Sequence, residues 1–342
     1  MNRRRFLQSA AALAITTRTT LAAGMPDTRR NLYILGQVHE TKDAQLDALT
    51  QTLASSNFNV LTLAFLGVVG APNNLQLLYN GHAFPALSPR LPQIFHQLRN
   101  GGSPRRKILI SIGGWASADS FVLIRSAGVP AFVRQLSQQV IVPLGLDGID
   151  LDLEPMQGGL DRWSAAYRDH GATLAAITVE YKRLHPTHVV THSPITPVAV
   201  KFYANATPLG PLDKSLLAST RTASGLGNHI DWLNVQFYEG GAVAANDAAA
   251  IAAACKDSLV APLLALRHQI GIPQPLSFLQ PTFQPNTHPA QSLDFCAQAL
   301  HAINSACAPL HAGTLRGVSL WEYKQLLPNL ANWSSTMQNA LG

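Results

Sequence analysis

Eight nearly continuous apolar, strand-forming runs recur along the chain, at residues 31–38, 59–65, 107–115, 146–155, 188–195, 230–238, 276–280 and 315–323. Such runs suit parallel strands covered by helices on both faces, not strands with one face in water. Helix-like segments separate them at 43–55, 92–100, 118–142, 160–182, 244–266 and 292–305. Alternation repeated about eight times in about 300 residues predicts a single-domain (β/α)8 TIM barrel. An open, doubly wound sheet is the rival. It loses support because no G-x-G-x-x-G follows the first run and no P-loop pattern occurs. Residues 67–89 and 194–211 lack a strong period and read as long loops after strands two and five. In a barrel they would lie at the carboxyl ends of the strands, where a ligand cleft forms.

The first 24 residues stand apart from this pattern. Arg3, Arg4 and Arg5 precede Phe6-Leu7, an Ala-rich apolar run covers 10–15, and Leu21-Ala22-Ala23-Gly24 offers a small-residue cleavage site. The segment is predicted to be a cleavable, twin-arginine-like export signal, leaving 25–342 as the barrel in the periplasm or outside the cell. Its apolar run is too short to span a bilayer, and no later run of 18 apolar residues occurs, so no stable membrane insertion is expected. The charge of +6 is modest, with no long basic tract and no zinc-finger spacing, which argues against nucleic-acid binding. A monomer is expected.

Cys255, Cys296 and Cys307 fit neither a zinc site nor a dense disulfide framework. A Cys296–Cys307 pair and three inert buried thiols both remain open. The histidines show no H-E-x-x-H spacing, so neither metal nor cofactor is called for. His192, on the fifth run, would face the cleft.

The fourth run holds the chemistry. Asp147, Asp150, Asp152 and Glu154 fall within eight residues, with Leu and Ile between them. Strand side chains alternate faces, so Asp150, Asp152 and Glu154 share one face and Ile149, Leu151 and Leu153 the other. A polar edge strand or loose acidic loop would not need such apolar alternates. Three carboxyls on one buried face oppose full ionisation, which suits a site where one acid holds a proton near neutral pH. Glu154, just before Pro155, would sit at the barrel rim as a general acid. Asp152 and Asp150 would lie deeper, able to share a proton. Asp147 has the other parity and would brace the strand entry.

A carboxyl acting as general acid suits glycosidic bond cleavage. A second carboxylate serving as nucleophile would approach from across the scissile bond. Asp152 lies only about 6.6 Å along the same strand, so it suits a helper. The substrate itself would then supply the nucleophile, as a 2-acetamido oxygen can.

Asp147-Gly148-Ile149-Asp150-Leu151-Asp152-Leu153-Glu154 resembles the full D-G-x-D-x-D-x-E signature of glycoside hydrolase family 18, the chitinases and their relatives. Ser111-Ile112-Gly113-Gly114 is similar to that family's strand-three motif. Gly36-Gln37, Ala64-Phe65, Gln236-Phe237-Tyr238 and Trp321-Glu322 are similar to its motifs on strands one, two, six and eight. The flavour is that of the compact class III chitinases. The resemblance implies that Glu154 protonates the glycosidic oxygen and Asp152 positions the N-acetyl group. It implies that Asp150 stabilises charge on Asp152, and that Tyr238 bonds the acetamido oxygen. The implied reaction is retaining hydrolysis of β-1,4-linked N-acetylglucosamine in chitin or chito-oligosaccharides. The alternatives are an endo-β-N-acetylglucosaminidase on N-glycans or peptidoglycan-like sugars, and a chitin-binding protein without turnover.

By the same resemblance Trp321 would floor the sugar site, with core packing as the alternative. Gln236, inward with Tyr238, would bind substrate or satisfy the inner core. Gln37, Phe65 and Gly114 would line the site. Gly113 and Gly114 would permit close packing. Ser111 would hold the deep aspartate or be an ordinary buried hydroxyl. Glu239 stands where the compact branch has Asn, and its charge at the mouth would favour a protonated acid.

Overall fold

The structure is a computed structural model; it describes residues 28–36, 43–84, 89–101, 105–154, 165–193, 229–237, 247–260, 279–284, 291–310, 315–327 and 329–341. In chain order the elements are β1 (Arg29–Leu35), α1 (Asp43–Ala54), β2 (Val60–Ala71), β3 (Asn74–Tyr79), β4 (His82–Ala83), α2 (Leu91–Asn100) and β5 (Lys107–Gly114). Then come α3 (Ala118–Ala127), α4 (Val129–Leu136), a π turn (Ser137–Ile141), α5 (Val142–Leu144), β6 (Gly148–Leu153), α6 (Ala165–Leu184) and β7 (Val189–His192). The chain finishes with β8 (Trp232–Gln236), α7 (Ala248–Ala253), a second π turn (Ala254–Val260), β9 (Leu279–Phe283), α8 (Leu293–Cys307), β10 (Gly317–Leu320), α9 (Tyr323–Leu326) and α10 (Leu330–Leu341).

Strands β1, β2, β5, β6, β7, β8, β9 and β10 pair in parallel, in that order, and β10 pairs back onto β1. The expected eight-stranded closed barrel is therefore the fold. Each of the eight barrel strands overlaps one of the eight apolar runs, although β9 begins three residues into the run at 276–280 and extends beyond it. The outward face meets the helices in one continuous core that includes Phe95, Phe121, Phe132, Ile177, Phe283 and Leu300.

The inside of the barrel is layered. Val60, Leu109, Val189 and Trp232 form an apolar plug at the bottom, with the Arg29 guanidinium 4.8 Å from the Trp232 ring. Above it lies a polar layer of Asn31, Thr62, Ser111, Asp150, Thr191, Asn234 and Ser319, each fully buried. They are joined edge to edge: Thr62 donates to Asn31, Asn31 to Ser319, Ser319 to Asn234, and Asn234 to Asp150. Burying that many polar groups is tolerable only because they satisfy one another.

Three expectations are corrected. Residues 67–89 are not simply a loop: β2 runs on to Ala71 and folds back through β3 and β4 as an antiparallel hairpin. Its second turn is Asn80-Gly81, both with positive φ, 46° and 82°; that dipeptide is a hairpin signal in its own right. The segment 118–142 is not one helix. Gly128 has φ of 89° and Pro130 lies in the first turn of α4, so the ladder breaks there and again at the π turn before Pro143. His192 does not face the cleft: it points outward, with Nε2 2.9 Å from Thr178 Oγ1 on α6. The three cysteines are buried free thiols. Among the described residues, no helix is long and apolar enough to cross a membrane.

Candidate active site

The site is built on β6. Pairing with β5 sets Ser111 beside Asp150 and Gly113 beside Asp152, and pairing with β7 sets Thr191 beside Asp150. Asp150 therefore belongs to the polar layer, with Asp152 one step higher and Glu154 above it, just beyond the strand. Ser117 holds the strand end, since its N–H donates to the Glu154 carbonyl and its hydroxyl lies 3.2 Å from the Glu154 nitrogen.

Asp150 is fully buried and surrounded by donors. Oδ2 accepts from Ser111 at 2.7 Å and lies 3.2 Å from the Tyr33 hydroxyl. Oδ1 accepts from Thr191 at 2.5 Å and from Asn234 Nδ2 at 3.2 Å. Ser193 Oγ lies 2.9 Å from both oxygens. A carboxyl accepting on every side is the acceptor-only, ionised form.

Asp152 is also buried, but its setting is different. Burial comes first, followed by the charges of Glu154 and Asp150 and a hydrogen bond with Glu154; together they hold its carboxyl well above the usual carboxylate range. Gln236 works against them. Its Nε2 stands 3.1 Å from Asp152 Oδ1, 3.1 Å from Glu154 Oε1 and 3.1 Å from the Ser193 carbonyl. Asp152 and Glu154 thus share one donor, the Gln236 amide, while hydroxyls and the Asn234 amide occupy the oxygens of Asp150 below.

On the far wall of the barrel from β6 stand β10 and the residue after it, Trp321. Phe65 stacks on Trp321 with ring centroids 5.2 Å apart and planes at 24°, and the Tyr33 ring, tilted at 56°, packs against the indole at 5.6 Å. The Ala64-Phe65 and Trp321-Glu322 peptide bonds are cis. Gly114 lies directly against Phe65, so that a Cβ there would come 2.5 Å from the ring.

Asp147 faces out of the barrel. Its Oδ2 accepts from Arg99 Nε at 2.9 Å and from the Ile108 N–H at 3.0 Å, so it ties β6 to α2 and β5. Gln37, Tyr238 and Glu239 lie outside the described residues.

Sequence reasoning missed the rest of the polar layer and Ser193. The signal was present. Asn31, Thr62, Thr191, Asn234 and Ser319 are each an uncharged polar residue on the inward parity of a largely apolar strand, one strand each, though only Thr62 and Ser319 are the sole polar residue of theirs. Thr282, inward on β9 in register with Gln236 and Ser319, is buried with an unpartnered hydroxyl. Among the described residues, no group of three or more His, Cys, Asp or Glu is arranged to hold a metal ion.

A closed parallel barrel with a buried carboxyl pair at one strand's carboxyl end defines a class, the barrel glycoside hydrolases. Comparison with known families makes this particular. The model of "Glycosyl hydrolases family 18" matches residues 33–257, about two thirds of the chain, and the chain belongs to that family. Among solved structures it is similar to the C-terminal domain of Legionella pneumophila ChiA, at 15% identity and TM-score 0.61, covering 92% of this chain and 98% of that one. It is similar to active domain 2 of the thermostable Pyrococcus furiosus chitinase, in catalytic-site mutants complexed with chito-oligosaccharides, at 13% identity and TM-score 0.56, covering 93% and 95%. A xylanase–α-amylase inhibitor protein solved with trehalose also matches, at 16% identity and TM-score 0.52, covering 92% and 99%. At such identities the likeness carries the fold alone. No protein of curated function matches the chain by sequence.

Proposed function

We propose that this chain hydrolyses β-1,4 linkages between N-acetylglucosamine units of chitin or chito-oligosaccharides, with retention of configuration. One observation carries the reading. The two carboxyls at the strand end share a wall, are bridged by the Gln236 amide at 3.1 Å from each, and lie across the barrel from the Phe65–Trp321 stack. In the described part of the opposite wall, the inward positions at the top of β10 are Ser319 and Trp321, neither of them a carboxylate. A one-sided pair does not place a nucleophile across the scissile bond, so the nucleophile comes from the substrate. Glu154 protonates the leaving oxygen. Asp152 accepts the acetamido N–H and turns the acetamido oxygen toward the anomeric carbon. That oxygen forms a new C–O bond as the glycosidic bond breaks, and water then opens the oxazolinium-like ring to give back the starting configuration. Asp150, fixed as an anion below, stabilises the N–H partner as charge develops. Tyr238 holds the acetamido oxygen, and Trp321 receives the sugar's apolar face.

The test is incubation with chito-oligosaccharides and with N-glycans, following product anomers by NMR. Expected are β-anomers from the former and a loss of about 10²- to 10⁴-fold in Glu154→Gln. An α-anomer first product, or equal turnover by the variant, removes the mechanism. Binding without turnover by the wild type makes the chain a chitin-binding protein, and turnover of N-glycans alone makes it an endo-β-N-acetylglucosaminidase. The inhibitor-protein likeness makes that distinction worth measuring.

The same proposal extends to location. The Arg3-Arg4-Arg5 segment and the small-residue site at Ala22-Ala23 support export of a folded protein, and we propose that it is a monomer; N-terminal sequencing of the exported protein checks the cleavage point and light scattering the mass.

A further inference from the structure

Two hydrogen-bond systems meet at the residue just beyond β7. The lower one surrounds Asp150. The upper one is the Gln236 amide between Asp152 and Glu154. Ser193, 3% exposed, belongs to both. Its hydroxyl oxygen lies 2.9 Å from each Asp150 oxygen and 2.7 Å from the Tyr33 hydroxyl. Its carbonyl accepts from Gln236 Nε2 at 3.1 Å. Its own N–H donates to the Leu151 carbonyl at 2.9 Å, which fastens it to β6 between the two lower acids.

A serine hydroxyl has one proton and can also accept. Asp150 as carboxylate can only accept, so the Ser193 hydroxyl, 2.9 Å from both its oxygens, donates to it. The Tyr33 hydroxyl stands 3.2 Å from Asp150 Oδ2 and 2.7 Å from Ser193 Oγ, which ties the tyrosine to the same pair. The Tyr33 ring in turn packs against Trp321 at 5.6 Å. Ser111 and Thr191 also hold Asp150, but their contacts stay within the polar layer. Ser193 reaches upward as well.

We propose that Ser193 is a positioning residue for the reaction. Its hydroxyl fixes the Asp150 anion, and its carbonyl orients the Gln236 amide that spaces Asp152 from Glu154. This rests on the acid-pair chemistry proposed above, though not on the identity of the sugar.

The test compares Ser193→Ala and Ser193→Thr with the wild type. The pH dependence of kcat/KM on chitotetraose reports the free enzyme's essential groups. In parallel, the carboxyl ¹³C signals of aspartate-labelled, substrate-free protein are followed across pH, with thermal melting as a folding control. Losing a donor makes the buried anion costlier. The alanine variant is therefore expected to move the acidic limb, and the acidic end of the carboxyl titration, upward by about one pH unit. The threonine variant keeps the hydroxyl and should track the wild type. An unshifted acidic limb in the alanine variant, even with lower kcat, overturns the proposal, as does a threonine variant that shifts like alanine. If the wild type turns over no chitotetraose, the chitin reading falls and the substrate-free titration still decides the role of Ser193. A carboxyl titration unchanged by the alanine substitution overturns it there too.

Discussion

Phe65 stacks against Trp321, with centroids 5.2 Å apart and planes at 24°, and so sets the tilt of the indole at the end of β10. Stacking of this kind contributes about 0.5–1.5 kcal/mol beyond burial. Phe65→Ala is expected to raise KM for chito-oligosaccharides by roughly two- to ten-fold, with a smaller change in kcat. Steady-state kinetics check this, and an unchanged KM would show that Trp321 is held without Phe65.

Gly113 has φ of 121°, and a Cβ there would come 1.9 Å from the Asp152 carbonyl oxygen. The backbone of β5 approaches β6 too closely for a side chain, and the conformation itself disfavours one. Gly113→Ala is expected to lower unfolding stability in urea by about 3 kcal/mol or more. Gly67 is the control, since a Cβ there would meet nothing within 4 Å; alanine at that position should cost under about 0.5 kcal/mol.

Arg106 is buried and donates to five carbonyls, those of Phe58, Leu98, Leu53, Ala54 and Ser56, at 2.8–3.2 Å. It closes the end of α1 and the turn into β2, where helix carbonyls lack partners. Arg106→Ala is expected to destabilise by about 3 kcal/mol. Arg106→Lys, with a point charge in place of a fork, should recover less than half of that in chemical denaturation. Full recovery by lysine would mean that charge alone matters.

His192 carries an acid-side liability. Thr178 gives its proton to the Leu174 carbonyl at 2.9 Å, so it accepts from His192 Nε2–H, and His192 Nδ1 is buried without a partner. Burial lowers the pKa from 6.5 to about 3. The unfolded chain therefore binds this proton first as pH falls. Stability is full above about 6.5 and is lost on the way down toward 3, by about 3 kcal/mol between pH 6.5 and 4. His192→Asn should flatten that stretch of the stability–pH curve in urea titrations at successive pH values. A wild-type slope kept by the variant would locate the liability elsewhere.

The barrel strands and the acid triad were readable from the chain because both rest on parity. An apolar run buried on two faces, and three acids at period two, each leave a strong local mark. The β3–β4 hairpin was harder. Its buried positions, Val68, Leu77 and Tyr79, alternate with partly exposed ones over too few residues to give a clear period, although Asn80-Gly81 marks its turn. The pairing of Asp152 with Glu154 was not readable at all. It depends on Ser111, Thr191, Ser193 and Asn234 having claimed Asp150 from strands far away in sequence. The polar layer lies between these cases: each member is visible alone, and only the register reveals that they share one level.

The groups that hold Asp150 come from both ends of the chain. Tyr33 and Ser111 precede it, Thr191, Ser193 and Asn234 follow it, and the chain of donors continues through Ser319 to Asn31 and Thr62. No contiguous half of the polypeptide carries the complete set. On refolding, turnover should therefore return only when the amino- and carboxyl-terminal halves have met and the ring has closed, later than the recovery of helical signal.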